Sequence, residues 1–200
     1  MSKRKYSIGI LGMQGATEEH AKHIYDLGHE TILIKNKEQL EKVDGLIIPG
    51  GESTAIWRLM KKNNLVEAVQ QFAESKKPIF GTCAGLVLLG KGQVEAGQIV
   101  SLGLMNIQVK RNGFGRQKDS FEAGLAVKGM KETYLAVFIR APYIESAGEH
   151  VEVLASYDDK IVAAREANLL VAAFHPELTD DNRFLELFLS MVGEKTVVAV

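Results

Sequence analysis

The lone cysteine of the chain, Cys83, sits in Gly81-Thr82-Cys83-Ala84-Gly85, between a short apolar run with the character of a buried strand and the apolar start of a helix. A nucleophile at such a strand-to-helix turn has the setting of a nucleophile elbow, with sulfur in place of oxygen. Glycines two residues either side allow chain and substrate to approach closely. The helix N-terminus favours the thiolate, which is the reactive form. Most single cysteines are small buried hydrophobes; the flanking glycines and the turn favour the nucleophile here. A cysteine nucleophile needs a base. Of the five histidines, His20 and His23 fall among charges on a helix and are expected in solvent, while His29 and His150 lie in polar, turn-like stretches. His175 alone follows an apolar strand, in Phe174-His175-Pro176-Glu177. In extended chain, residues two apart share a face, so Glu177 is placed to fix the imidazole tautomer and stabilise its protonated form, with Pro176 stiffening the segment between them.

A third feature, Pro49-Gly50-Gly51-Glu52-Ser53, also ends a buried strand. Read alone it is a plain turn. Beside a cysteine elbow, the N–H of Gly51 and that of Ala84 after the nucleophile are candidates for an oxyanion hole. Gly51-Glu52-Ser53-Thr54-Ala55 nearly matches the serine elbow G-x-S-x-G but lacks its last glycine, so Ser53 is not expected to be the nucleophile. Gly9, Gly12 and Gly15 are spaced G-x-x-G-x-x-G, which is not the dinucleotide fingerprint, and no phosphate-loop motif occurs. No cofactor is expected, and a single cysteine gives no zinc signature. Gln14 stands at the carboxyl edge of the first strand, where parallel sheets place ligands, although a solvated loop amide is its simpler reading.

These residues need a scaffold. The first half alternates β-branched runs with amphipathic stretches: strands at 6–11, 30–35, 45–48 and 78–80, and helices at 17–27, from Ser53 or Thr54 as cap, at 65–75 and from 84. That is the pattern of a parallel sheet covered by helices. The second half is strand-rich, at 107–110, 120–127, 135–139, 151–157, 161–165 and 169–174, before a final helix over 181–191. The expected fold is one three-layer α/β domain over residues 1–200, its mostly parallel central sheet extended by antiparallel strands. With 46% hydrophobic residues the chain can build a substantial core unaided. Its 24 basic and 25 acidic side chains give no field that would attract nucleic acid. Lys3, Arg4 and Lys5 read as a solvated terminus. The apolar stretch 7–13 runs into acidic residues without a cleavage site, and no stretch is long enough to span a membrane. The lone cysteine fits a reducing compartment, so a cytoplasmic protein without membrane contact is expected.

Taken together, GTCAG, PGGES and FHPE resemble the triad-type, class I glutamine amidotransferases, whose fold is flavodoxin-like. The resemblance narrows with Gly12-Met13-Gln14-Gly15, Arg111-Asn112, Phe114-Gly115-Arg116-Gln117, Asp119-Ser120-Phe121-Glu122, Phe138-Ile139-Arg140-Ala141-Pro142 and the stretch from Phe174 to Thr179. These are similar to the glutaminase subunits of pyridoxal 5′-phosphate synthase, over roughly residues 6–192. The resemblance implies hydrolysis of L-glutamine to glutamate and ammonia, with Cys83 as nucleophile, His175 and Glu177 completing a triad, and a thioester intermediate. It implies a glutamine site of Gly51, Glu52, Ser53, Arg111, Ile139 and Arg140, leaving open which arginine takes the carboxylate. It also implies a synthase partner in a ring-shaped heteromer, with the Gln14 loop near the face that the partner meets. Three mild departures are residues ahead of the matching segment, Met13 where an aliphatic residue is more usual, and Gly113 where serine is common. Two alternatives remain at this stage: a glutaminase serving another synthase, and a catalytically silent subunit that only binds a partner.

Overall fold

The computed structural model describes residues 4–92, 94–95, 98–114 and 119–198. In chain order the first half contains β1 (Ser7–Leu11), α1 (Thr17–Asp26), β2 (Glu30–Ile34), the one-turn α2 (Lys37–Leu40), β3 (Gly45–Ile48), α3 (Ser53–Lys62), α4 (Leu65–Glu74), β4 (Ile79–Thr82) and α5 (Ala84–Leu89). The second half contains β5 (Val94–Glu95), β6 (Gln98–Ile99), β7 (Ile107–Lys110), β8 (Ser120–Leu125), β9 (Tyr134–Ile139) and β10 (Tyr143–Ala147). It continues with β11 (Glu152–Tyr157), β12 (Lys160–Glu166), β13 (Leu169–Ala172), a 3-10 turn over Pro176–Leu178 and α6 (Arg183–Val198).

The central sheet runs β2-β1-β3-β4-β13-β12-β10-β7, with β11 also paired to β12. From β2 to β13 every pairing is parallel, and beyond β13 every pairing is antiparallel. The patterning follows from burial. β3, β4 and β13 are covered on both faces and read as unbroken apolar or small runs, whereas β7 and β9 alternate buried and exposed residues. On one face α6 packs Phe188 against Phe80 of β4 at 5.8 Å and Phe184 edge-on to Phe174 at 5.0 Å. A second aromatic cluster centres on Phe138, stacked on Phe121 at 4.7 Å and flanked by Phe114 and Tyr157. It anchors the β8–β9 hairpin, which forms a separate two-stranded sheet and does not extend the central one as the sequence pattern suggests.

Four short elements escape the sequence pattern: the two-residue strands β5 and β6, β10 and α2. β10 has one inward apolar side chain, Ile144, and a register shift before Ser146, so no period of two appears in it. α2 is a single turn capped by Asn36, too short to show a helical stripe. Of the basic N-terminal residues, Arg4 lies over the Tyr6 ring and Lys5 pairs with Glu30 at the surface; Lys3 lies outside the described residues. Among the described residues no helix is long and apolar enough to cross a membrane.

Candidate active site

Strand order reverses at β1, which has β2 on one side and β3 on the other. A crevice therefore opens at the carboxyl ends of the strands, where open α/β sheets bind ligands. The loops after β1, β3, β4 and β13 converge on it, and each carries one of the sequence candidates.

Cys83 ends β4 and caps α5 with φ 48° and ψ −100°, a left-handed backbone for a residue with a Cβ. Such a conformation costs on the order of 1–3 kcal/mol and persists only where its surroundings enforce it. The enforcement is visible. The Cys83 N–H donates to the Ala172 carbonyl of β13 at 2.8 Å, and α5 starts so close to β3 that a Cβ on Gly85 would stand 2.1 Å from the Ile48 carbonyl oxygen. The Gly85 position thus serves the packing of helix on strand. The thiol faces the cleft, 3.9 Å from the carbonyl oxygen of Ile139.

His175 arrives from the end of β13. Its N–H donates to the Val137 carbonyl of β9 at 2.8 Å, so the hairpin fixes its backbone. Its ring Nδ1 lies 2.7 Å from Glu177 Oε1. The two side chains meet across the start of the 3-10 turn, with His175 as its N-cap and Pro176 as its first residue. The extended segment expected from sequence is thus a turn, and the turn brings the same pair together. The ring and the Cys83 side chain meet beside Gly50. Space for the ring comes from Gly50, where a Cβ would stand 2.5 Å from the imidazole Cε1 and 3.4 Å from the Cys83 Cβ. Burial disfavours a charged imidazole, but the neighbouring Cys83 and the bond to Glu177 outweigh it and push the His175 pKa up to about 10. Burial likewise opposes ionisation of Glu177, and the bond to His175 with the nearby His20 and His175 rings holds its carboxyl below the usual range.

The sequence reading of His20 and His23 as solvated is wrong. Both are buried, His20 completely. His20 Nε2 lies 3.3 Å from Thr82 Oγ1 and 3.3 Å from Glu177 Oε2, while His23 bonds Asn182 at 2.7 Å. The signal was present in the helical spacing, since His20, His23, Ile24 and Leu27 form one stripe.

Facing Cys83 and His175 is a cavity of about 320 Å³. Gly51, Glu52, Ser53, Ala84, Arg111, Ile139 and Arg140 all line it, so the substrate residues implied by the resemblance meet there. Glu52 is the one acid among the lining residues. It also caps α3, accepting from the Thr54 and Ala55 N–H groups, so the cap is Glu52 and neither Ser53 nor Thr54. Burial opposes its ionisation, yet these bonds, the Thr54 hydroxyl and Arg111 at 3.6 Å keep its carboxyl below the ordinary range. Gln14 is exposed, as a loop amide would be, but its side-chain oxygen accepts the Glu52 N–H at 2.8 Å and lies beside Gly51. Gly115, Arg116 and Gln117 lie outside the described residues. Among the described residues no cluster of His, Cys, Asp and Glu could hold a metal.

Ser53 is buried at the first position of α3 and lines the cavity. Replacing it with alanine should leave glutaminase turnover within about tenfold, the scale of one lost hydrogen bond to substrate. Complete loss with Cys83 intact would make Ser53 the nucleophile.

A parallel sheet with a cysteine elbow at the carboxyl end of an inner strand, met by a histidine from the loop after a later strand, is the architecture of the class I glutamine amidotransferases. A solved structure described as a glutamine amidotransferase superimposes with a TM-score of 0.88 at 41% identity, covering 93% of this chain and 98% of that one. A protein from Thermoplasma acidophilum described as a putative GMP synthase subunit, 15% identical, shares the fold with a TM-score of 0.71 over 98% of both chains. Residues 10–194 match the SNO glutamine amidotransferase family, and the chain belongs to it. Similar proteins include pyridoxal 5′-phosphate synthase subunit PdxT of Oceanobacillus iheyensis, 60% identical over 94% of both chains. The protein of that name from Bacillus pumilus is 54% identical over 97% of this chain and 99% of its own.

Proposed function

We propose that the chain hydrolyses L-glutamine to L-glutamate and ammonia through Cys83, His175 and Glu177, as the glutaminase subunit of a pyridoxal 5′-phosphate synthase. The observation that carries this reading is the convergence, on one cavity, of a strained cysteine and an imidazole paired to Glu177 with two arginines and one further acid. Free amino acids carry both charges, and the arginine forks suit the carboxylate as Glu52 suits the ammonium group.

In the proposed reaction the sulfur, as the thiolate, attacks the side-chain amide carbon. The N–H groups of Gly51 and Ala84 take the negative charge of the oxyanion. His175, protonated and held by Glu177, gives its proton to the departing nitrogen, the C–N bond breaks, and ammonia leaves from a thioester. His175 then takes a proton from water, the hydroxide attacks the thioester carbon, and glutamate leaves as sulfur recovers its charge. Ammonia in neutral water is mostly ammonium, which has no lone pair, so it must pass directly to a synthase subunit. The Gln14 loop, joined through the Glu52 N–H to the turn that carries Gly51, is the part of the site we expect to meet this partner in a ring-shaped heteromer.

Glutamate release, measured with and without a purified pyridoxal 5′-phosphate synthase subunit, tests the reading. Strong stimulation by that subunit is expected. Stimulation only by an imidazole glycerol phosphate synthase subunit would overturn the assignment.

A further inference from the structure

The proposed triad leaves one buried titratable group without a task. His20, on α1, is fully enclosed, with Nε2 3.3 Å from Oε2 of Glu177 and 3.3 Å from the Thr82 hydroxyl. Oε1 of Glu177 is taken by His175. Oε2 is buried without a well-aligned hydrogen bond among the described residues, and Nδ1 of His20 is likewise unpaired. An ionised carboxylate with one unsatisfied buried oxygen is costly, and the group beside that oxygen is the His20 ring.

The tautomer decides what the ring does. With its proton on Nδ1, His20 would point a lone pair at a carboxylate oxygen and bury an orphan N–H. With its proton on Nε2, the donor stands 3.3 Å from both the Glu177 and the Thr82 oxygens, and the ring atom left unpaired is an acceptor. Orphan donors are the rarer of the two in folded proteins. Burial, the leading influence, lowers the His20 pKa and keeps the ring neutral. The other titratable groups around it are Glu177 and His175 across the contact and His23 and Glu19 on its own helix. Tyr134 of β9 also stands near Glu177.

We infer that His20 is a positioning residue: its Nε2–H holds the second oxygen of Glu177 so that the first keeps its line to His175. The same N–H reaches Thr82, the residue before Cys83, and so braces the carboxylate against the strand that carries the nucleophile. α1 follows directly on the Gln14 loop, so one short segment, from Gln14 to His20, touches both Glu52 beside the cavity and the back of the triad. This inference rests on the triad reading above.

The test compares His20→Leu, which fills the space without a donor, with His20→Gln, whose amide nitrogen can reach the place of Nε2. Glutamate release is measured in complex with the synthase subunit. His20→Leu should lower kcat about 10- to 100-fold, the range seen when outer hydrogen-bond partners of site groups are removed, with KM for glutamine nearly unchanged. Loss of a donor raises a carboxylate pKa, so the acid limb of kcat/KM should move to higher pH. His20→Gln should recover most of both. A His20→Leu protein with wild-type kcat and pH profile, or a His20→Gln protein as impaired as His20→Leu at equal thermal stability, would overturn the inference. Should His20→Leu fail to fold, nitrogen-15 NMR of the wild-type ring decides: a proton on Nε2 supports the role and a proton on Nδ1 refutes it. Cys83→Ala separates the two levels. If it is inactive while His20→Leu is fully active, only the role of His20 falls; if it remains active, the triad falls as well.

Discussion

Cys83→Ala is expected to release no measurable glutamate from glutamine, even in the presence of the synthase subunit. Removing the nucleophile from a comparable hydrolase triad costs on the order of 10⁶ in kcat, because the remaining members have nothing to activate. The same position makes an opposite prediction for stability. Cys83 holds φ 48° and ψ −100°, a backbone that alanine finds as strained as cysteine does. Glycine relieves that strain of about 1–3 kcal/mol and returns about 0.4–1 kcal/mol through the greater freedom of its unfolded chain. Cys83→Gly should therefore be as inactive as Cys83→Ala yet unfold at a higher temperature, by about 2–4 °C per kcal/mol for a chain of this size. Equal melting temperatures for the two variants would mean that the elbow stores no more strain than the roughly 0.4–1 kcal/mol that the unfolded-chain freedom of glycine offsets. Residual turnover by either would mean that another group attacks the amide.

Much of this site could be read from the chain because its parts are local. The elbow announces itself through two glycines and a cysteine between a strand and a helix, and the partner pair through two residues separated by a proline. The parallel half was legible for a similar reason, since strands buried on both faces are runs of apolar residues that nothing else in the chain imitates. What escaped depends on contacts between distant segments. Gly50 looks like any turn glycine until β13 brings His175 to within a Cβ of it. Glu52 looks like a surface acid, but the reversal of the chain after β3 makes it the helix cap and the partner of both Gln14 and Arg111. His20 was misjudged for a different reason. Its flanking charges, Glu18, Glu19 and Lys22, outweighed a helical stripe that placed it with Ile24 on the buried face. Composition along a helix says less about burial than phase does. The β8–β9 hairpin was expected within the main sheet, because alternation specifies a half-buried strand without naming its neighbour.

Glu177→Gln carries the second large effect, and its pH dependence distinguishes a functional pair from a merely buried one. The amide keeps the shape of the carboxylate but cannot balance an imidazolium. In comparable triads the loss of that charge lowers kcat on the order of 10⁴-fold. Stability should fall as well, because taking one partner from a buried ion pair leaves the other uncompensated, at a cost of about 3–5 kcal/mol. The sign of the pH effect follows from the two shifts. His175 is raised from 6.5 to about 10, so its contribution is complete below about pH 6.5 and is lost as pH rises through 10. Glu177 is lowered from 4.5, so its contribution is complete above that pH and is lost as pH falls through its depressed value. The pair stabilises the fold most between about pH 4.5 and 6.5. Urea unfolding of wild type and Glu177→Gln should therefore differ most near pH 6 and progressively less toward pH 10. A difference that stays constant across that range would mean that His175 is neutral in the folded protein. The imidazole would then have no proton to give the leaving nitrogen, and the thiol would have to be ionised by some other group.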